Sequence, residues 1–153
     1  MSDFSLEIVM PCRDWRVRLP RVMALARRVG AAAATQEPAL NGSVALLLAD
    51  DETLRDLNRR FRRRDRPTNV LSFPSTGSAP GFLGDVALAL ETCAREAEAQ
   101  GKTLADHAAH LITHGLLHLA GYDHQNDREA LVMEAKETAI LASLGIKNPY
   151  MED

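Results

Sequence analysis

At 153 residues, 46% hydrophobic and with a formal charge of −3, the chain can build one globular domain with a sizeable core, and its total charge by itself selects no partner. Asp3, Glu7, Arg13, Asp14, Arg16 and Arg18 interrupt the N-terminal stretch, which excludes a signal-peptide apolar region, and the longest apolar run, Val44 to Ala49, is far too short to span a bilayer. Cys12 and Cys93 form no CxxC and suit a reducing compartment, so a cytoplasmic protein with no membrane partner is expected.

Phe4 to Met10 alternates loosely up to Pro11 and predicts a strand. Pro20 suits the first residue of a helix through Val22, Leu25, Ala26 and Val29, which the alanine run to Thr35 either extends or ends. Asn41-Gly42 marks a turn, and Ser43 to Ala49 reads as a buried strand. Asp50 or Asp51 caps the next helix, whose Leu54, Leu57 and Phe61 share one face and which Pro67 stops. Val70 to Phe73 is a short strand closed by Pro74, Ser75 to Gly84 a flexible loop, and Asp85 to Leu90 a fourth strand. Glu91 to Gln100 reads as a helix ended by Gly101, and Thr103-Leu-Ala-Asp106 as a capping-box-like start for a long helix. Asn126 or Asp127 caps a last helix through Leu131, Met133, Ile140 and Leu144, ended by Gly145, with Asn148-Pro149 and the acidic end as tail.

No repeat, low-complexity tract or linker divides residues 1–153, so a single α+β domain is expected. Strands joined by helices imply a mixed sheet of about four strands packed with about five helices.

The stretch His114-Gly-Leu-Leu-His118-Leu-Ala-Gly121-Tyr-Asp-His124 carries the chemistry. Histidines four apart share one helix face, close enough to bind one ion. Gly121 can take the left-handed conformation that ends a helix and turns the chain back, which brings His124 to the same point. Three imidazoles then leave one tetrahedral corner open, and such sites lower the pKa of bound water from 15.7 to roughly 7. The spacing resembles the metzincin-type metal-binding helix and turn, with Gly115 where those enzymes carry a glutamate base. The motif therefore argues for a metal and against ordinary peptidase chemistry. His107 and His110 lie too far along the same helix to reach the same ion and are expected beside the site, at the core edge or on the surface. Asp123 reads as a turn residue or as an acceptor that orients a ligand imidazole.

Charge is unevenly spread. Between Arg55 and Arg66 seven arginines (55, 59, 60, 62, 63, 64 and 66) face only Asp56 and Asp65, a local +5 against −8 for the rest. A concentrated basic patch on an acidic chain points to a local anionic ligand, and a guanidinium clamps phosphate bidentately. Composition does not say which arginine faces the metal.

Four blocks, Leu57-Asn-Arg-Arg-Phe-Arg62, Asp65-Arg-Pro-Thr-Asn-Val-Leu-Ser-Phe-Pro74, Leu83-Gly-Asp85 and the histidine block, stand in the order and spacing of one family. With them the chain resembles the bacterial rRNA-maturation endoribonuclease family (YbeY). The resemblance covers residues 43 to 150, and the histidine and Thr-Asn-Val-Leu-Ser-Phe-Pro blocks are its most specific parts. It implies a zinc-dependent, single-strand-specific endoribonuclease in 16S rRNA 3′-end maturation and ribosome quality control, with rRNA and the small ribosomal subunit as partners. It also implies His114, His118 and His124 as metal ligands and Arg62 as the catalytic arginine. Phe61 stands where the block usually has tyrosine, and Asn69 where many members have aspartate. Attack by water and attack by the RNA 2′-OH both remain open. The rival expectations are a metallopeptidase-like or small-molecule hydrolase, with Asp85 or Asp123 as base, and a ribosome-binding factor with a structural metal.

Overall fold

The alternating side chains of β2 (Ser43–Ala49) set how the layers stack. Val44, Leu46 and Leu48 point into the main core, whereas Leu47 and Ala49 join a smaller cluster on the other side. The computed structural model describes residues 3–62, 68–77 and 80–151. β1 (Ser5–Val9) and β4 (Phe82–Ala89) flank β2 and run parallel to it; β3 (Val70–Pro74) forms the far edge, antiparallel to β4. The sheet order is β1-β2-β4-β3. The chain is a single α+β domain with a mixed sheet, as expected.

Six helices surround the sheet among the described residues: α1 (Asp14–Arg18), α2 (Val22–Gln36), α3 (Asp51–Arg62), α4 (Leu90–Ala99), α5 (Leu104–Leu119) and α6 (Asp127–Ser143). α5 is the central one. It lies on β3 and β4 and packs against α2, α4 and α6. Ala108, Ile112 and Leu116 are buried along it, and burial of a side chain of leucine size stabilises by about 1.5–3 kcal/mol. α3 covers the opposite face, where Leu54 meets Leu71, Ala87 and Ala89.

Gly115 sits where α5 crosses the sheet. A Cβ there would lie 2.6 Å from Val86 Cγ1 and 3.2 Å from Ser72 Oγ, so a side chain would push the helix away. The contact is fastened by Ser72 Oγ, which donates to Gly115 O at 3.1 Å. The glycine that removes the peptidase base is thus also the residue that lets the histidine helix sit down.

Beyond shifts of a residue at element ends, the structure departs from expectation in one added helix and two element starts. α1 was not anticipated, because five residues are too few for periodicity; its Trp15 is buried and donates from Nε1 to Ala49 O at 2.8 Å. α2 begins at Val22 instead of Pro20, which lies in the turn before it, and continues through the alanine run. β4 begins at Phe82, inside the expected loop. Gly84 belongs to the strand because a Cβ there would meet Phe73 O at 2.4 Å and Leu119 Cδ2 at 2.8 Å. The expected stop at Pro67 lies outside the described residues.

Candidate metal centre

Thr103 caps α5 by accepting from Asp106 N at 3.1 Å, so the helix starts where its sequence signals a start. Its other end is a left-handed glycine stop. Gly121 has φ of +103°, its N–H donates to His118 O at 3.1 Å, and Tyr122 N donates to Leu117 O at 3.0 Å. Tyr122 is held in turn by its hydroxyl, which donates to Glu37 Oε2 at 2.6 Å at the end of α2. The Asp123 carboxylate accepts from His124 N at 2.8 Å, the turn role of the two weighed for it.

This turn brings the three histidines together. His114 and His118 project from the last turns of α5 and His124 from the loop beyond, with ring centroids 4.6 Å, 5.4 Å and 5.1 Å apart. One ring nitrogen from each lies within 4.8 Å of the other two, a group that could hold a metal ion. The Nε2 atoms of His114 and His118 face each other at 3.1 Å. His114 Nδ1 is 3.0 Å from Glu137 Oε1, so that nitrogen carries the proton and Nε2 presents a lone pair to the cluster. Burial, then the neighbouring His114 and His124, hold His118 below the ordinary imidazole value and so in the neutral form that binds metals. Three imidazole nitrogens facing one point fit a divalent transition ion.

Glu137 was not found from sequence. It is buried on α6 with an exposure of 0%. Burial would raise its pKa, but hydrogen bonds from His110, His114 and Tyr150 outweigh this and hold it at about 2. The signal was present: Met133, Glu137, Ile140 and Leu141 form the buried stripe of α6, and a carboxylate on an apolar stripe needs partners. His110 lies one turn before His114, within 2.6 Å of Glu137 Oε2, and so beside the site; His107 pairs with Glu96 at 2.9 Å, away from it.

Arg62, at the end of α3, is brought to the same place by Ser72. Its Nη2 donates to Ser72 O at 2.7 Å, and its guanidinium lies 5.6 Å from the centre of the Phe73 ring. Arg59 and Arg60 both pair with Asp56. Among the described residues the hydrogen-bond partner of Arg62 is a neutral carbonyl and not a carboxylate. Arg63, Arg64 and Arg66 lie outside the described residues. Phe61, the position that lacks a tyrosine hydroxyl, packs edge-on against Phe73 with centroids 5.6 Å apart. Asn69 donates from Nδ2 to Glu96 Oε1 at 2.9 Å, a bond an aspartate could not make.

Arg62 and the three histidines line one open cleft of ≈ 700 Å³, together with polar Asn58, Thr68, Asn69 and Gln125. Among the described residues Asp123 is the one carboxylate lining it. Asp85 lies on the other face of the sheet, beside Leu47 and Phe73, because its strand neighbours Gly84 and Val86 are the ones that face α5.

Comparison with known proteins agrees with this arrangement. The family model described as Endoribonuclease YbeY matches residues 11–145. Two relatives named Endoribonuclease YbeY are 50% identical (Paramagnetospirillum magneticum; 97% of this chain, 96% of the relative) and 49% identical (Sphingopyxis alaskensis; 91% and 89%). A solution structure from Thermotoga maritima shares the fold with a TM-score of 0.60 over 97% of both chains, at 19% identity. Kinship at half identity over almost the whole length places the motif in its lineage: the chain belongs to the YbeY endoribonuclease family.

Proposed function

We propose that this chain is a zinc-dependent endoribonuclease that cuts single-stranded rRNA in 16S rRNA 3′-end maturation and ribosome quality control, in the cytoplasm and on the small ribosomal subunit. Its relatives carry the name endoribonuclease, and the finer role follows from the resemblance of the sequence blocks. The observation that carries the reading is the meeting of three imidazoles with an arginine guanidinium in one open cleft. No helix among the described residues is long and apolar enough to cross a membrane.

His114, His118 and His124 would hold the ion. When bound, it supplies a Lewis acid that polarises a phosphoryl oxygen and lowers the pKa of water. The rest of the work falls to side chains. Arg62 binds the phosphate and offsets the charge that grows on it in the transition state. Ser72 O fixes where that guanidinium stands, and the polar wall offers hydrogen bonds to unpaired bases.

The peptidase rival needs a base in the cleft. Asp85 is on the wrong face, and the Asp123 carboxylate is engaged by the His124 amide. The structural-metal rival suits a closed site, whereas His124 is exposed and the cluster opens to the cleft.

The deciding experiment offers a labelled single strand, the matching duplex and a peptide library to purified protein. Chelation should stop cleavage of the single strand and zinc restore it. Arg62→Ala should keep its zinc and cut about 10²- to 10³-fold more slowly, the usual loss when one transition-state donor is removed. Intact RNA with zinc-loaded protein, or full cleavage by Arg62→Ala, overturns the reading.

A further inference from the structure

The C-terminal segment reads as tail in the sequence, yet Tyr150 within it reaches the carboxylate behind His114. Tyr150 donates from its hydroxyl to Glu137 Oε2 at 2.7 Å, on the same oxygen that His110 Nε2 approaches at 2.6 Å. The other oxygen, Oε1, takes His114 Nδ1 at 3.0 Å. A carboxylate with four lone-pair sites thus has three of them occupied by donors from α5 and from the segment after α6. The segment is itself seated. Asn148 Oδ1 accepts from Tyr150 N at 2.8 Å, and Lys102 Nζ donates to Pro149 O at 3.5 Å.

His110 Nδ1 is buried with no hydrogen-bond partner among the described residues. A bare lone pair there costs less than a stranded N–H, so the His110 proton sits on Nε2, facing the carboxylate. Every proton around Glu137 therefore points at it, and its oxygens serve only as acceptors. Glu137 cannot reach the cleft, since it is buried behind His114 and does not line the cavity. Whatever it does for the chemistry, it does through that ring.

We propose that Glu137 and Tyr150 are positioning residues of the metal centre: the C-terminal tyrosine locks the carboxylate that holds His114 with its proton on Nδ1 and its Nε2 toward His118 and His124. The inference rests on the reading of those three histidines as metal ligands. An imidazole with no acceptor at Nδ1 samples both tautomers and rotates about its side-chain bonds, so part of the population offers the ion an N–H in place of a lone pair. A carboxylate behind a ligand imidazole also raises its basicity, and loss of such a partner typically weakens metal binding 10–100-fold. The competing account makes the cluster a staple that joins α5, α6 and the C-terminal segment and has no bearing on the metal.

Zinc affinity of the full chain, measured by competition with a chromogenic chelator, separates the two accounts. The tautomer of His114, read by nitrogen NMR in metal-free protein, adds a measurement that does not involve activity. Glu137→Leu should weaken zinc binding by about 10–100-fold and leave His114 in mixed tautomers, while Glu137→Gln, which keeps one acceptor oxygen, recovers part of both. Tyr150→Phe should weaken binding by up to about tenfold, because the carboxylate keeps its other donors. That tyrosine is 44% exposed, so its variant folds and decides the matter even if Glu137→Leu does not. Wild-type zinc affinity in the folded variants, with a lowered melting temperature alone, overturns the inference. His114→Ala serves as the control: if it abolishes binding while those variants do not, the metal reading stands and only the positioning role falls. If the wild type binds no zinc, both fall.

Discussion

Two histidine–carboxylate pairs sit two turns apart on α5, and they do opposite things with the same side chain. His107 uses Nε2, its far nitrogen, to reach Glu96 at 2.9 Å and leaves Nδ1 buried without a partner among the described residues. His114 uses Nδ1, its near nitrogen, to reach Glu137 at 3.0 Å and keeps Nε2 for the cleft. The distances are nearly equal. What differs is which nitrogen is committed, and that follows from where the carboxylate stands. Glu96 comes from α4 and also takes Asn69 Nδ2 at 2.9 Å, so the first pair ties the start of β3 to two helices. Glu137 comes from α6, behind the ring, and aims the second pair outward. At His114 the carboxylate stands behind the ring, which leaves Nε2 free to face the cleft.

The contrast breaks most sharply by exchanging the losses. His114→Ala should remove zinc and RNA cleavage together, measured as metal content and cut strand. His107→Ala should keep both and lose about 1–3 kcal/mol of stability, the cost of stranding a buried partner, seen in urea unfolding. Zinc retained by His114→Ala would remove it from the site. A fall in zinc content in folded His107→Ala would show that the two pairs are not separate.

Much of this was readable beforehand because it depends on local spacing. Two histidines four apart on a helix, followed by a glycine that can turn left-handed, predict a convergence that needs little help from the rest of the chain, and Gly121 supplies the turn with φ of +103°. Strand and helix succession gave the mixed sheet for the same reason. Partners chosen by packing were not readable. Glu137 resembles any helical glutamate until α6 is seen to bury that face, and Tyr150 lies beyond all periodicity. Ser72 shares this fate: its side chain holds Gly115 and its carbonyl holds Arg62, a junction that exists only once β3 lies beneath α5. The expected loop from Ser75 to Gly84 runs past the true start of β4 at Phe82, and Gly84 lies within the strand, where it makes room for Leu119.

A smaller effect tests how the His114 end of the helix is seated. Gly115→Ala places a Cβ 2.6 Å from Val86 Cγ1 and should cost about 1–3 kcal/mol by overpacking, with a partial loss of cleavage as the helix lifts. Val86→Ala in the same chain should return some of both, since it removes the obstructing methyls. At the His107 end no such rescue applies. If Gly115→Ala alone is as stable and active as the wild type, the glycine has no packing reason.

The smallest effect concerns protons and belongs to the structural pair. Burial holds His107 below the ordinary imidazole value, although the Glu96 hydrogen bond pulls the other way. Above about pH 6.5 the ring is neutral in both folded and unfolded chains and costs nothing. As pH falls below that value the unfolded chain takes up the proton first, so stability drops until the folded ring is protonated too. For one proton the slope cannot exceed about 1.4 kcal/mol per pH unit. His118 is depressed in the same direction, and metal-free wild type therefore carries both contributions. His107→Gln keeps a hydrogen-bonding side chain but cannot titrate. Unfolding the two metal-free proteins in urea at pH 7.5 and at 5.5 isolates its share, with the wild type losing more stability than the variant across the interval. Equal losses would mean that His107 is as easily protonated in the fold as out of it, and that its pairing with Glu96 outweighs its burial.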